Sequence, residues 1–218
     1  SFPGGNTPEQ RYGQWTTKLL DYFQDRAGKG GTVEVGSTVY TLIYTNTLFQ
    51  VAEYAEDPRL KEIARSYLDL QYADMAQETV ESIRAGAKSR STKERSLWSL
   101  HERSGVYIYP FVGEPAGNLT DLAALDAAPR EEQTAFLFGG ALTTDYRVPD
   151  VIADLYRDDD ARGSYSYVTS RLAEGTLQTL EQEKVYFPTE DQSAFLRTTT
   201  VTPKYALGWF TVDENKEY

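Results

Sequence analysis

Two consecutive segments restrict the fold of this chain more than any other feature. From Thr38 to Ala55 the apolar residues Val39, Tyr40, Leu42, Ile43, Tyr44, Leu48, Phe49, Val51, Ala52 and Tyr54 fall on nearly every side of a helical wheel. A helix of that kind is buried on most faces. Its exception is a narrow stripe of Asn46, Gln50 and Glu53, spaced by four and three, which must meet water, a polar partner or a ligand. Asp57-Pro58 then supplies a cap and a first-turn proline, and apolar residues recur at helical spacing from Leu60 to Ile83. The opposite face carries Lys61, Glu62, Arg65, Asp69, Glu78 and Glu81. This predicts a buried inner helix joined by a short connection to an outer, half-wet helix over about Pro58 to Arg84, the local unit of a two-layer α/α structure.

The rest of the chain extends that reading. Thr7 is placed to cap a helix from Pro8 to about Arg26, which stops at Gly28-Lys29-Gly30-Gly31. Asp121 to Leu142 reads as one or two short helices, and Pro149 to Tyr156 as another. Beyond Arg162-Gly163 the period changes. Ser164 to Val168 alternates, and Phe195 to Val201 and Tyr205 to Val212 are rich in β-branched and aromatic residues, which predicts strands. The expected fold is mainly α, with residues 1–162 helical and residues 163–218 β-containing.

Charge and composition remove several kinds of chemistry. With 33 acidic against 22 basic residues, the net charge of -11 repels phosphate, so nucleic acid is not an expected partner. The absence of cysteine rules out thiolate catalysis and Cys-ligated metals, and the single histidine, His101, rules out a multi-histidine centre. A carboxylate-only calcium or magnesium site stays open, and no cofactor is expected beyond a structural calcium ion. No apolar run approaches the roughly 18 residues a membrane span needs. The lack of cysteine fits an exported bacterial protein, secreted or periplasmic. The Ser1 start, and the strand-like run ahead of Asp213 to Tyr218, read as a processed protein or a piece of a larger chain.

Candidate chemistry gathers after the hairpin. Arg84, Lys88, Arg90, Lys93, Arg95 and Arg103 stand against Glu94 and Glu102 alone. Gly86 to Ser91 lacks the spacing and the preceding strand of a phosphate loop. Lys88 and Arg90 suit a carboxylate or sulfate on a substrate, Arg bidentately, and equally suit a solvated basic loop. His101, beside Trp98, is either a general base or a structural histidine. Sixteen tyrosines, among them Tyr107, Tyr109, Tyr146, Tyr165 and Tyr167, offer flat faces for sugar rings or for ordinary cores. Asp145, Asp150 and Asp158 to Asp160 provide carboxylates without the defined separation that glycoside hydrolysis requires.

Four stretches carry a resemblance: Ala52 to Pro58 with the helix that follows, Gly86 to Arg90, Asp145 to Ile152, and Thr202 to Gly208. Together they resemble exported bacterial proteins akin to heparinase II/III-type and alginate-lyase-type polysaccharide lyases, which pair an (α/α) toroid with a β-sandwich. The resemblance implies an anionic polysaccharide or oligosaccharide as partner and β-elimination on a uronate as reaction. It implies that Lys88, Arg90 or Asn46 neutralises the carboxylate, that His101 or Tyr107 is the base and that a tyrosine is the acid; Gln50, Glu53 and Trp98 join them as substrate-binding candidates. A glycoside hydrolase on a similar toroid and a non-catalytic glycan-binding segment are the alternative readings. A full toroid plus sandwich needs more than 218 residues, so this chain is expected to hold part of such an architecture.

Overall fold

The computed structural model describes residues 4–28, 30–31, 36–37, 40–80, 83–87, 108, 111–112, 140–171 and 195–212. Helix α1 (Pro8–Gly28) begins in a reciprocal cap: Gln10 N donates to Thr7 Oγ1 at 3.2 Å, and Thr7 N donates to Gln10 Oε1 at 2.9 Å. Two otherwise unpaired amides are satisfied at once. Helix α2 (Tyr40–Tyr54) and helix α3 (Pro58–Gln77) form the expected hairpin, and Asp57 caps α3 by accepting from Arg59 N at 2.9 Å.

Helix α3 stops at Gln77, short of the expected Arg84. The β-branched Thr79, Val80 and Ile83 lose side-chain freedom in a helix and pair instead as a small hairpin, β1 (Thr79–Val80) against β2 (Ile83–Arg84). The layering also differs from expectation. Among the described residues α3 is the central helix, packed against α1, α2 and α4 (Asp150–Arg157) through Leu60, Ala64, Leu68, Tyr72 and Met75. Helix α2 instead leaves Tyr40, Ile43, Thr47, Gln50 and Tyr54 exposed along one stripe. Its predicted polar stripe is turned partly inward, because residues 140–145 supply polar partners for it.

An aromatic cluster fills the space between these helices. Phe49 stacks on Phe111 at 5.0 Å between ring centroids, and Tyr72 on Tyr146 at 5.9 Å. The Tyr146 hydroxyl donates to Asp69 at 2.7 Å, so this residue of the predicted wet face anchors a core tyrosine. Burial, with Asp69 beside it, raises the Tyr146 pKa well above the ordinary phenol value.

Helix α5 (Asp159–Arg162) ends at Gly163 with φ 72°, and strands β3 (Tyr165–Arg171), β4 (Phe195–Val201) and β5 (Ala206–Val212) follow as an antiparallel meander. Tyr165 pairs with Val201, and Thr199 with Gly208. The sheet turns Tyr165, Tyr167, Arg197, Thr199 and Val201 towards the helices. Two contacts fix it to the end of α3: Arg162 Nη1 donates to Ala76 O at 2.8 Å and the Tyr165 hydroxyl to Gln77 O at 2.5 Å. Carbonyls that a helix terminus leaves open are thereby paired. The fold is thus mainly helical with a small three-stranded antiparallel sheet in its C-terminal part. Among the described residues no helix is long and apolar enough to cross a membrane.

Candidate functional site

Four charged side chains meet where α3 gives way to the sheet. Arg84 Nε donates to Glu78 Oε1 at 2.5 Å, and its Nη2 to Asp74 Oδ2 at 3.3 Å. Arg197, from β4, donates through Nη1 to the same Glu78 oxygen at 3.4 Å and through Nη2 to Asp74 Oδ1. Its Nε reaches Thr169 Oγ1 on β3 at 3.0 Å, and the Tyr167 hydroxyl donates to Glu78 Oε2 at 3.3 Å. Two carboxylates balance two guanidiniums. Glu78 is 0% exposed, Arg197 1% and Arg84 2%, whereas the Asp74 side chain keeps 32% of its surface open. Burial pushes the Glu78 carboxyl above the usual range, opposed by Arg84 and Arg197. The cluster therefore selects one arrangement of helix against sheet at a high desolvation cost, and loss of either arginine would strand a buried charge.

The backbone beside the cluster is closely packed. Gly86 has φ +78°, and a Cβ there would lie 2.6 Å from Glu78 Oε2. A Cβ at Gly208 on β5 would strike the backbone of Gly86 and Ala87. The stretch just before Lys88 is wedged between the end of α3 and the sheet.

Next to the cluster lies a cavity of about 260 Å³. The exposed Leu70 and the almost wholly buried Tyr67 line it on α3, and Gln71, Asp74 and Gln77 line the same helix further along. Arg84 and Thr169 face them from β2 and β3, and Thr41 from the start of α2. Amides, hydroxyls and one accessible carboxylate are the functional groups that complement a ring bearing several hydroxyls.

No protein-family model, curated protein or solved structure matches this chain. The reading of the site therefore rests on its own residues.

The sequence-derived candidates are distributed unevenly. His101, Tyr107, Lys88, Arg90 and Trp98 lie outside the described residues. Asn46 is buried, and its Oδ1 accepts from Gly140 N at 3.0 Å. Glu53 Oε1 accepts from the Thr144 hydroxyl at 2.7 Å, from Asp145 N at 3.1 Å and from Arg65 at 3.2 Å. Arg65 also meets Asp145 at 2.5 Å, which holds the Asp145 carboxyl below its usual pKa and raises that of Arg65. The stripe's partner here is the chain itself over residues 140–145, and Gln50 alone of the three is fully exposed. Two residues were misplaced by periodicity. Glu78 belongs to the buried cluster and not to a wet helical face, because the helix ends just before it; Arg84 belongs there too and not to the basic segment. Arg84 lies within the hairpin next to Glu78, a local pairing that a helix stop at Gln77 would have exposed. No spacing connects either to Arg197. Among the described residues no group of three or more His, Asp or Glu is arranged to hold a metal ion.

Proposed function

We propose that this chain is carbohydrate-active and binds an anionic, uronate-containing glycan along the seam between α3 and the sheet. The observation that carries the proposal is the cavity: its amides, hydroxyls and open Asp74 carboxylate suit a sugar ring, and it adjoins the closely packed Arg84 to Ala87 stretch that precedes Lys88 and Arg90 in the chain. In this reading a ring rests in the cavity while Lys88 and Arg90 neutralise the carboxylate of a neighbouring uronate. Neutralisation precedes β-elimination, since the carboxylate charge opposes the enolate that forms when the adjacent proton leaves. His101 or Tyr107 takes that proton and a tyrosine protonates the leaving oxygen. The finer architecture we assign is an (α/α) toroid-like layer followed by a β-sandwich in an exported bacterial protein. The exposed apolar stripe of α2 and the one-sided packing of the three-stranded sheet are compatible with further layers.

A non-catalytic glycan-binding role is the second reading, favoured by the state of Asp74. Its carboxylate is held by two arginines and keeps an open face that can accept ligand hydroxyls. Glu78 is wholly buried and out of a ligand's reach, which argues against a glycoside hydrolase built on this pair. Incubation of the 218-residue chain with a panel of uronate polymers separates the readings. Ultraviolet absorbance of an unsaturated product is expected; new reducing ends without unsaturation mark hydrolysis, and binding with neither marks a binding module. Absence of unsaturated product across the panel would sink the elimination chemistry.

A further inference from the structure

The cavity beside Asp74 presents an open carboxylate, the hydroxyl of its lining residue Tyr67 has no partner among the described residues, and the two guanidiniums of the cluster are already engaged. Arg197 has its Nε on Thr169, Nη1 on Glu78 and Nη2 on Asp74; Arg84 has its Nε on Glu78 and Nη2 on Asp74, and both guanidiniums are almost wholly buried. The two amide nitrogens on the wall are engaged too, Gln71 Nε2 with Thr45 Oγ1 at 2.5 Å and Gln77 Nε2 with Ala73 O at 3.1 Å. Gln71 Oε1 is left buried without a partner. Asp74 is the charged group of the cluster that stays open. A carboxylate or sulfate entering this space would face the Asp74 carboxylate, whose two guanidinium partners are already engaged, inside a chain of net charge -11. A ligand hydroxyl, by contrast, donates to the open Asp74 carboxylate. At about 260 Å³ the space falls just below the range of drug-sized pockets and matches a single ring, with the exposed Leu70 for its C–H face.

We infer that this cavity is a subsite for an uncharged, hydroxyl-rich sugar ring and that it discriminates against uronates. The inference rests on the glycan reading for the identity of the whole ligand, and it divides the polymer into units: a neutral ring beside Asp74, with any uronate placed elsewhere.

Matched sugars that differ only at C6 provide the test. Glucose against glucuronate, and galactose against galacturonate, are titrated into the full chain and followed by saturation-transfer NMR. The neutral member of each pair is expected to bind at least about tenfold more tightly, a ratio worth roughly 1.4 kcal/mol. Leu70→Arg adds a cation to an exposed wall position, so its folding does not depend on the buried cluster, and it should shift the preference towards the uronate by a similar factor. Asp74→Asn, checked for folding by circular dichroism, should weaken neutral binding and narrow the gap. Equal or tighter uronate binding by the parent chain overturns the inference and leaves the glycan reading intact. So does polymer binding or cleavage without any monosaccharide binding that responds to Leu70→Arg. Neutral-sugar binding that Leu70→Arg reverses, with every uronate polymer left unbound, supports the subsite and overturns the uronate reading of the larger site.

Discussion

Arg197 shows what a single residue can do in this molecule. It is 1% exposed, comes from β4, and reaches Asp74, Glu78 and Thr169, so it joins α3 to two strands. Replacing it by Ala leaves Glu78 fully buried with one guanidinium fewer and opens a void where the arginine stem packed. Breaking a buried pair from one side costs about 3–5 kcal/mol, chiefly through the charge left behind. Urea unfolding of Arg197→Ala is expected to show a loss of that order, and a loss under about 1 kcal/mol would mean the cluster contributes little. Charged residues are ordinarily solvated, and Arg197 went unnoticed because the partners that justify burying it lie far along the chain, whereas the local pairing of Glu78 with Arg84 was hidden by running the helix past Gln77.

Among the elements, helices α1 to α3 and strands β3 to β5 were legible because each carries its own signal: a cap, a proline, a period of 3.6 or of 2. The end of α3 was not, since Val80 and Ile83 satisfy a helical wheel as well as a short hairpin, and β-branching decides between them. The stripe on α2 was legible as polar, but nothing local could say that residues 140–145 would meet Asn46 and Glu53. The α3 cap carries a pH signature. The Arg59 side chain and backbone hold the Asp57 carboxyl below its ordinary pKa. An acid depressed by folding contributes stability above its unfolded pKa, and that contribution is lost as pH falls through the folded value. Asp57→Ala should therefore unfold at lower denaturant than the parent at neutral pH, with the difference shrinking in acid. A difference that grew on acidification would contradict the assignment of Asp57 as an ionised cap.

On the scale of the whole molecule, the C-terminal end of α3, the small hairpin and the sheet converge on one seam, and the charge cluster, the wedged Gly86-Ala87 stretch and the cavity all sit on it. The sequence placed the basic Lys88 and Arg90 just beyond this point but gave no sign of the cavity, whose walls come from α1, α2, α3, β2 and β3. Hydrogen exchange of the 218-residue chain, with and without a saturating uronate-containing oligosaccharide, tests this account most directly. Binding at the seam predicts added protection over residues 67–78 and 84–87. Protection confined to the exposed stripe of α2 at Tyr40, Ile43 and Tyr54, or no change at the seam with ligand bound, would contradict it.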